Sequence, residues 1–318
     1  MSAAPVRTAM RDAFLKEIHR RMAQRDDLFF LTADFGSPQL DAIRQDHPGR
    51  FINVGIAEQN LINVSLGLAL EGFCVFAYAI APFLSMRCFE QIRVDLALHA
   101  QLRPINVNLL AVGAGMSYDV SGPTHHCLED LSLLRTLPHV ELHSPADAPT
   151  AVALAEGALE RAVPSYFRLD GKPLPDLEPG ITAADVVRGF RILREGRVVL
   201  LSTGFMTHRA LEAAQGFSPG EVGVVDLFSF RPLDRVALAG ALRSAKALLT
   251  LEEGFLDCGG LDALAGAVLR EAGLCIPMES QGIRGAYLFE AGGREILHDQ
   301  VGLSGAALRG QVARLLNS

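Results

Sequence analysis

The chain keeps switching between two spacings of apolar residues, and that alternation restricts it to few architectures. Short apolar runs such as LFFLTAD (28–34), GFCVFAYAI (72–80) and INVNLLAVG (105–113) are each followed by a longer segment of helical periodicity. Runs apolar on both faces read as strands of a covered sheet, and a helix between consecutive strands implies parallel pairing. Residues 7–25 place Met10, Phe14, Ile18 and Met22 at helical spacing, and 58–70, 83–100 and 128–137 read as further helices, with 51–54 as a strand. The pattern predicts an α/β fold whose ligands sit at the carboxyl ends of its strands.

Residues 170–180, DGKPLPDLEPG, are dense in Pro, Gly and Asp and mark a linker. Beyond them the alternation resumes: strands at 197–204, 222–230 and 247–254, helices at 207–215, 234–244 and 261–272. Two three-layer α/β domains with mainly parallel sheets are expected, over 1–170 and 191–318, joined by 171–190. The 318 residues suffice for two cores of that kind.

Composition narrows the function. The net charge is −7 with no basic block, which argues against nucleic acid or a membrane surface as partner. Residues 61–86 hold a single charge, Glu71, but Glu71-Gly72 and Pro82 divide the run into pieces shorter than the roughly 20 helical residues that cross a bilayer. The five cysteines lack paired or metal-like spacing, and MSAAPVRTAMRDAF lacks an apolar leader, so a reducing, cytoplasmic setting is expected. Gly113 and Gly115 follow a strand without the third glycine of a dinucleotide loop, and Gly171-Lys172 lacks the Walker spacing.

Two stretches are pointed. FINVGIAEQN places a lone carboxylate, Glu58, at the head of the near-neutral run, where a buried charge is costly unless something receives it. SGPTHHCLED (121–130) sets His125 and His126 between a Gly-Pro turn and a helix. Three readings of the pair stand side by side: hydrogen-bonding to a substrate, a structural pair, or metal ligation through the His125/Glu129 or His126/Asp130 spacing, for which no third ligand is convincingly spaced.

GIAEQN with its apolar helix, then FLSMRCFEQIR, then GPTHH-x-x-ED resembles the pyrimidine-binding domain of the transketolase group of thiamine-diphosphate enzymes. VVLLSTG, FSFRPLD and LEEG…GGL resemble that group's last domain. The resemblance implies that Glu58 hydrogen-bonds N1′ of the cofactor's aminopyrimidine, and that Phe83, Met86 and Phe89 pack against the ring, with Met86 where an aromatic is usual. It places Asp34 near the cofactor, His125 on the donor's oxygens as a catalytic residue with His126 behind it, and Arg7 and Arg168 on a sugar phosphate. Ser121 stands where an aspartate usually contacts a sugar hydroxyl, which points to a nonstandard sugar or a specialised-metabolism acceptor.

No GDG motif, which with a later Asn holds Mg²⁺ and the diphosphate in this group, occurs in these residues. The resemblance therefore implies one subunit of a split transketolase. Its partner chain would carry GDG…N and the Mg²⁺, in an assembly of two copies of each chain around a homodimer of this one. Related possibilities are a 2-oxo acid dehydrogenase β subunit, a deoxyxylulose-phosphate synthase fragment, and a non-catalytic partner subunit.

Overall fold

The computed structural model describes residues 7–290 and 292–317. Seven strands form the first sheet, in the spatial order Ser229–Arg231, Glu141–His143, Ser165–Leu169, Val107–Val112, Cys74–Ile80, Leu28–Thr32, Phe51–Asn53. Every pairing is parallel except that of the Ser229–Arg231 edge, which the second half of the chain contributes. The second sheet runs Met278–Ile283, Ala247–Phe255, Gly196–Ser202, Gly220–Leu227, Phe190–Arg194, with only the last antiparallel. Both sheets are mainly parallel and helix-covered, as the alternation predicts.

The strand Cys74–Ile80 shows how the period of two divides the core. Cys74, Phe76 and Tyr78 face a cluster built with Phe14, Phe30 and Phe167, while Val75, Ala77 and Ala79 face the opposite cluster. That second cluster continues through Leu61, Leu66 and Leu96 into Val199, Leu201 and Leu248 of the other sheet, so one apolar core spans both sheets.

The stretch 171–190 is structured. Pro173–Pro175 pairs antiparallel with Arg7–Ala9, and Thr182 caps the helix Ala183–Arg188 through a reciprocal bond with Asp185. The segment expected as one helix over 83–100 is divided: Phe83–Arg87 and Ile92–Leu98 are π-helical turns flanking the short Phe89–Gln91. Such wide turns re-aim side chains and recur at functional sites.

Candidate functional site

Parallel strands bring their carboxyl ends to one edge of the sheet, and the residues singled out in the sequence follow those ends. Asp34 comes after Leu28–Thr32, Glu58 after Phe51–Asn53, Phe83 after Cys74–Ile80, and the 113–127 loop after Val107–Val112. Gly55, at φ 76°, makes the turn into the helix Glu58–Leu70, and its N–H donates to Asn53 Oδ1 at 2.9 Å. Asn53 also binds Asp34 both ways: Nδ2 donates to Asp34 Oδ1 at 2.9 Å, and Asp34 N–H donates to Asn53 Oδ1 at 3.1 Å.

Glu58 is only 3% exposed and opens its helix, where the dipole favours an anion. Arg87 Nη1 donates to its Oε2 at 2.7 Å, and the Arg87 Cζ lies 4.6 Å from the Phe83 ring centroid. Phe83 meets the edge of His125 at 5.4 Å between centroids. Glu58, Arg87, Phe83 and His125 thus form one contiguous set. The Thr124 hydroxyl bonds His125 Nδ1 at 3.0 Å, Met86 is exposed, and Phe89 is half-buried against the core.

His126 turns inward. It is buried, neither ring nitrogen has a partner, and burial holds its pKa below the usual histidine range. Ser121 is exposed on the same loop, its N–H bonded to Tyr118 O at 3.0 Å. Arg7 lies in the strand Arg7–Ala9, and its side chain is outside the described residues.

Arg168 corrects the expectation that it holds a sugar phosphate. It is 2% exposed, its Nε is on both oxygens of Asp130 at 3.0 and 2.9 Å, and its Nη2 is on the carbonyls of Cys127 and Glu253 at 3.0 and 2.8 Å. A guanidinium so committed and so deep does not reach a substrate. It lies mid-strand in the parallel register, which hides it, and an adjacent carboxylate receives it.

Two groups of residues escaped the sequence reading. Arg87 is the first; its signal was that the near-neutral run 61–86 is bracketed by Glu58 and Arg87, opposite charges that the fold brings together. The second group anchors the 113–127 loop from beyond the first sheet. Arg294 sets Nε and Nη2 on the two oxygens of Glu253 at 2.7 and 2.6 Å, Nη1 on Asp170 at 2.6 Å, and its N–H on Asp119 at 2.7 Å. Lys172 also binds Asp119, and Glu253 accepts the Met116 N–H at 3.2 Å. A side chain at Gly115 would collide with the Glu253 carboxylate, so glycine is required there.

The site is thus a buried carboxylate at a sheet's carboxyl edge, one of its oxygens without a partner among the described residues, joined through Arg87 to an aromatic ring that meets an imidazole. That arrangement can pair with the polar edge of a flat heterocycle while apolar side chains meet its faces. The pyrimidine-binding domain model of transketolase matches residues 7–175, and the transketolase C-terminal domain model matches 190–308. The chain belongs to the transketolase family, whose members depend on thiamine diphosphate. It is 31% identical over 268 residues to an apulose-4-phosphate transketolase subunit of Actinobacillus succinogenes, covering 81% of this chain and 82% of that one. It is 28% identical over 299 residues to a 6-deoxy-6-sulfo-D-fructose transketolase subunit of a Clostridium species, covering 93% and 90%. Among solved structures, a split-gene transketolase described as an inactive β4 tetramer superposes with a TM-score of 0.83 at 31% identity, over 97% of this chain and 98% of that one.

The residues present fit the pyrimidine half of that cofactor. Glu58 keeps Oε1 free of any partner among the described residues, and exposed apolar side chains stand near it in sequence and beside its partner Arg87: Ile56, two residues earlier, is 77% exposed, and Met86, preceding Arg87, is 38% exposed. Among the described residues no group of three or more His, Cys, Asp or Glu side chains is arranged to hold a metal ion, and no helix is long and apolar enough to cross a membrane.

Proposed function

We propose that this chain is the second subunit of a split, thiamine-diphosphate-dependent transketolase that moves a two-carbon ketol unit from a ketose or ketose phosphate to an aldehyde. The observation that carries the reading is the buried Glu58, one oxygen without a partner among the described residues, linked through Arg87 to Phe83 and through Phe83 to His125. When bound, the cofactor supplies the carbanion chemistry. Glu58 shares a proton with N1′ of its aminopyrimidine. Phe83, Met86 and Phe89 provide the contact surface around the ring, Met86 by soft rather than stacking contact. Asp34, held by Asn53, borders the cofactor. His125 donates to the donor's oxygens, and His126 lies behind it, kept uncharged by burial.

Ser121 faces the sugar's hydroxyl end, and Arg7 is the candidate for a terminal phosphate, a role its bidentate fork suits. Mg²⁺ and the diphosphate are held by a partner chain carrying GDG…N, in a cytoplasmic α2β2 heterotetramer built on a homodimer of this chain. The similarity to subunits over most of their length supports a partner.

The test is Glu58→Gln. The variant should fold and bind the partner while turnover falls by about 10²–10⁴-fold, because the amide cannot share the N1′ proton in the same way. Wild-type rates of deuterium exchange at the bound cofactor's thiazolium C2 would refute the role of Glu58.

A further inference from the structure

Glu58 is met by a cation before any ligand arrives. Its side chain is 4% exposed and that of Arg87 45%, so the pair joins a buried anion to a half-exposed guanidinium. Exposed pairs contribute little, but a buried carboxylate depends on its counter-ion to offset desolvation. Among the described residues Arg87 is the cation paired with Glu58.

The geometry of Arg87 is set from three directions. It ends the π turn Phe83–Arg87, whose wide circuit lays the guanidinium back over the Phe83 ring at 4.6 Å. Gln59, the neighbour of Glu58, donates from Nε2 to the Arg87 carbonyl at 3.2 Å and ties the turn to the helix. The guanidinium takes Oε2 alone and leaves Oε1 without a partner among the described residues.

We propose that Arg87 is a positioning residue for Glu58: it fixes the carboxylate by Oε2, reserves Oε1 for the pyrimidine's N1′, and draws the shared proton toward that ring nitrogen. The proposal rests on the assignment of Glu58 to the cofactor. Coulomb repulsion from the guanidinium on Oε2 acts on a proton shared between Oε1 and N1′ and places it nearer the ring. The bidentate alternative, with both oxygens taken by Arg87, would block the site. The single contact leaves it open.

The experiment uses the chain complexed with its diphosphate-binding partner, Mg²⁺, and thiamine diphosphate labelled with ¹⁵N at N1′. It reads cofactor affinity by calorimetry and N1′ protonation by its nitrogen resonance. Arg87→Met should weaken binding about tenfold and move the resonance toward that of an unprotonated ring nitrogen, and Arg87→Lys should recover most of both. On a Glu58→Gln background, Arg87→Met should change affinity by less than about twofold.

A wild-type affinity and resonance in Arg87→Met, or an equal loss on the Glu58→Gln background, would overturn the proposal. Glu58→Gln on its own keeps the two claims apart. If it weakens binding while Arg87→Met does not, Glu58 stands and Arg87 falls; if Glu58→Gln binds and resonates as wild type, both fall. Should Arg87→Met fail to fold, Arg87→Gln retains a donor without the charge, and an unmoved resonance in it contradicts the charge effect directly.

Discussion

Glu58 and Glu252 are both buried carboxylates, and they differ in what meets them. Glu58 has a guanidinium on one oxygen. Among the described residues Glu252 has only the Leu261 N–H on Oε2, with Oε1 unpartnered, and burial raises its pKa from the ordinary 4.5 to about 7. It caps the helix Leu261–Glu271, and a side chain at Gly254 or Gly260 would collide with it, which explains those two glycines of LEEG…GGL. A carboxyl whose folded pKa is raised contributes stability that is complete below about 4.5 and is lost as pH rises through about 7. Glu252→Gln, which keeps the acceptor and cannot ionise, should therefore gain stability over wild type between pH 5 and pH 8, by up to roughly 3 kcal/mol. Denaturant titrations at both pH values check this; parallel pH profiles for the two proteins would contradict it.

At the scale of elements, strands and helices were legible because period-two and helical spacings are local properties of the chain. The carboxyl-edge position of Asp34, Glu58 and His125 followed from the parallel alternation. Arg168 was misread because its neighbours in sequence, a strand of apolar residues, carry no sign of Asp130, which arrives from another element. The π turns at Phe83–Arg87 and Ile92–Leu98 were not legible for a related reason: an extra residue per turn barely alters an apolar pattern, yet it places Arg87 over Phe83.

The loop carrying Ser121 and His125 is an element set from outside, through Asp119, Met116 and Gly115. Since those anchors do not involve Ser121, its exposed side chain can change without loosening the loop. Ser121→Asp should shift the ratio of kcat/KM between two donor sugars of opposite configuration at the contacted carbon by about tenfold or more. An unchanged ratio removes Ser121 from the substrate site.

On the scale of the whole molecule, the second sheet contributes none of the proposed site residues but fixes the first. Arg191 pairs with Asp147 at 3.0 Å, Arg294 with Asp170 at 2.6 Å, and the Glu253 carbonyl receives Arg168, so buried charges from both halves lock the interface around a shared apolar core. None of these pairings was legible in the sequence, because each joins residues far apart in the chain.

What the proposed site would present to thiamine diphosphate is the Glu58 carboxylate with Phe83, Met86 and Phe89, and among the described residues no group of three His, Cys, Asp or Glu side chains could hold a metal ion. A diphosphate needs a hard cation held by oxygen ligands, and on the proposed split-subunit reading the larger share of the affinity falls to the partner. Calorimetric titration of thiamine diphosphate with Mg²⁺ into this chain, alone and then with a GDG-bearing partner, tests that division. Alone it should bind weakly, with no dependence on Mg²⁺, and become tight and Mg²⁺-dependent once the partner is added. Tight, Mg²⁺-dependent binding by this chain alone would contradict the account.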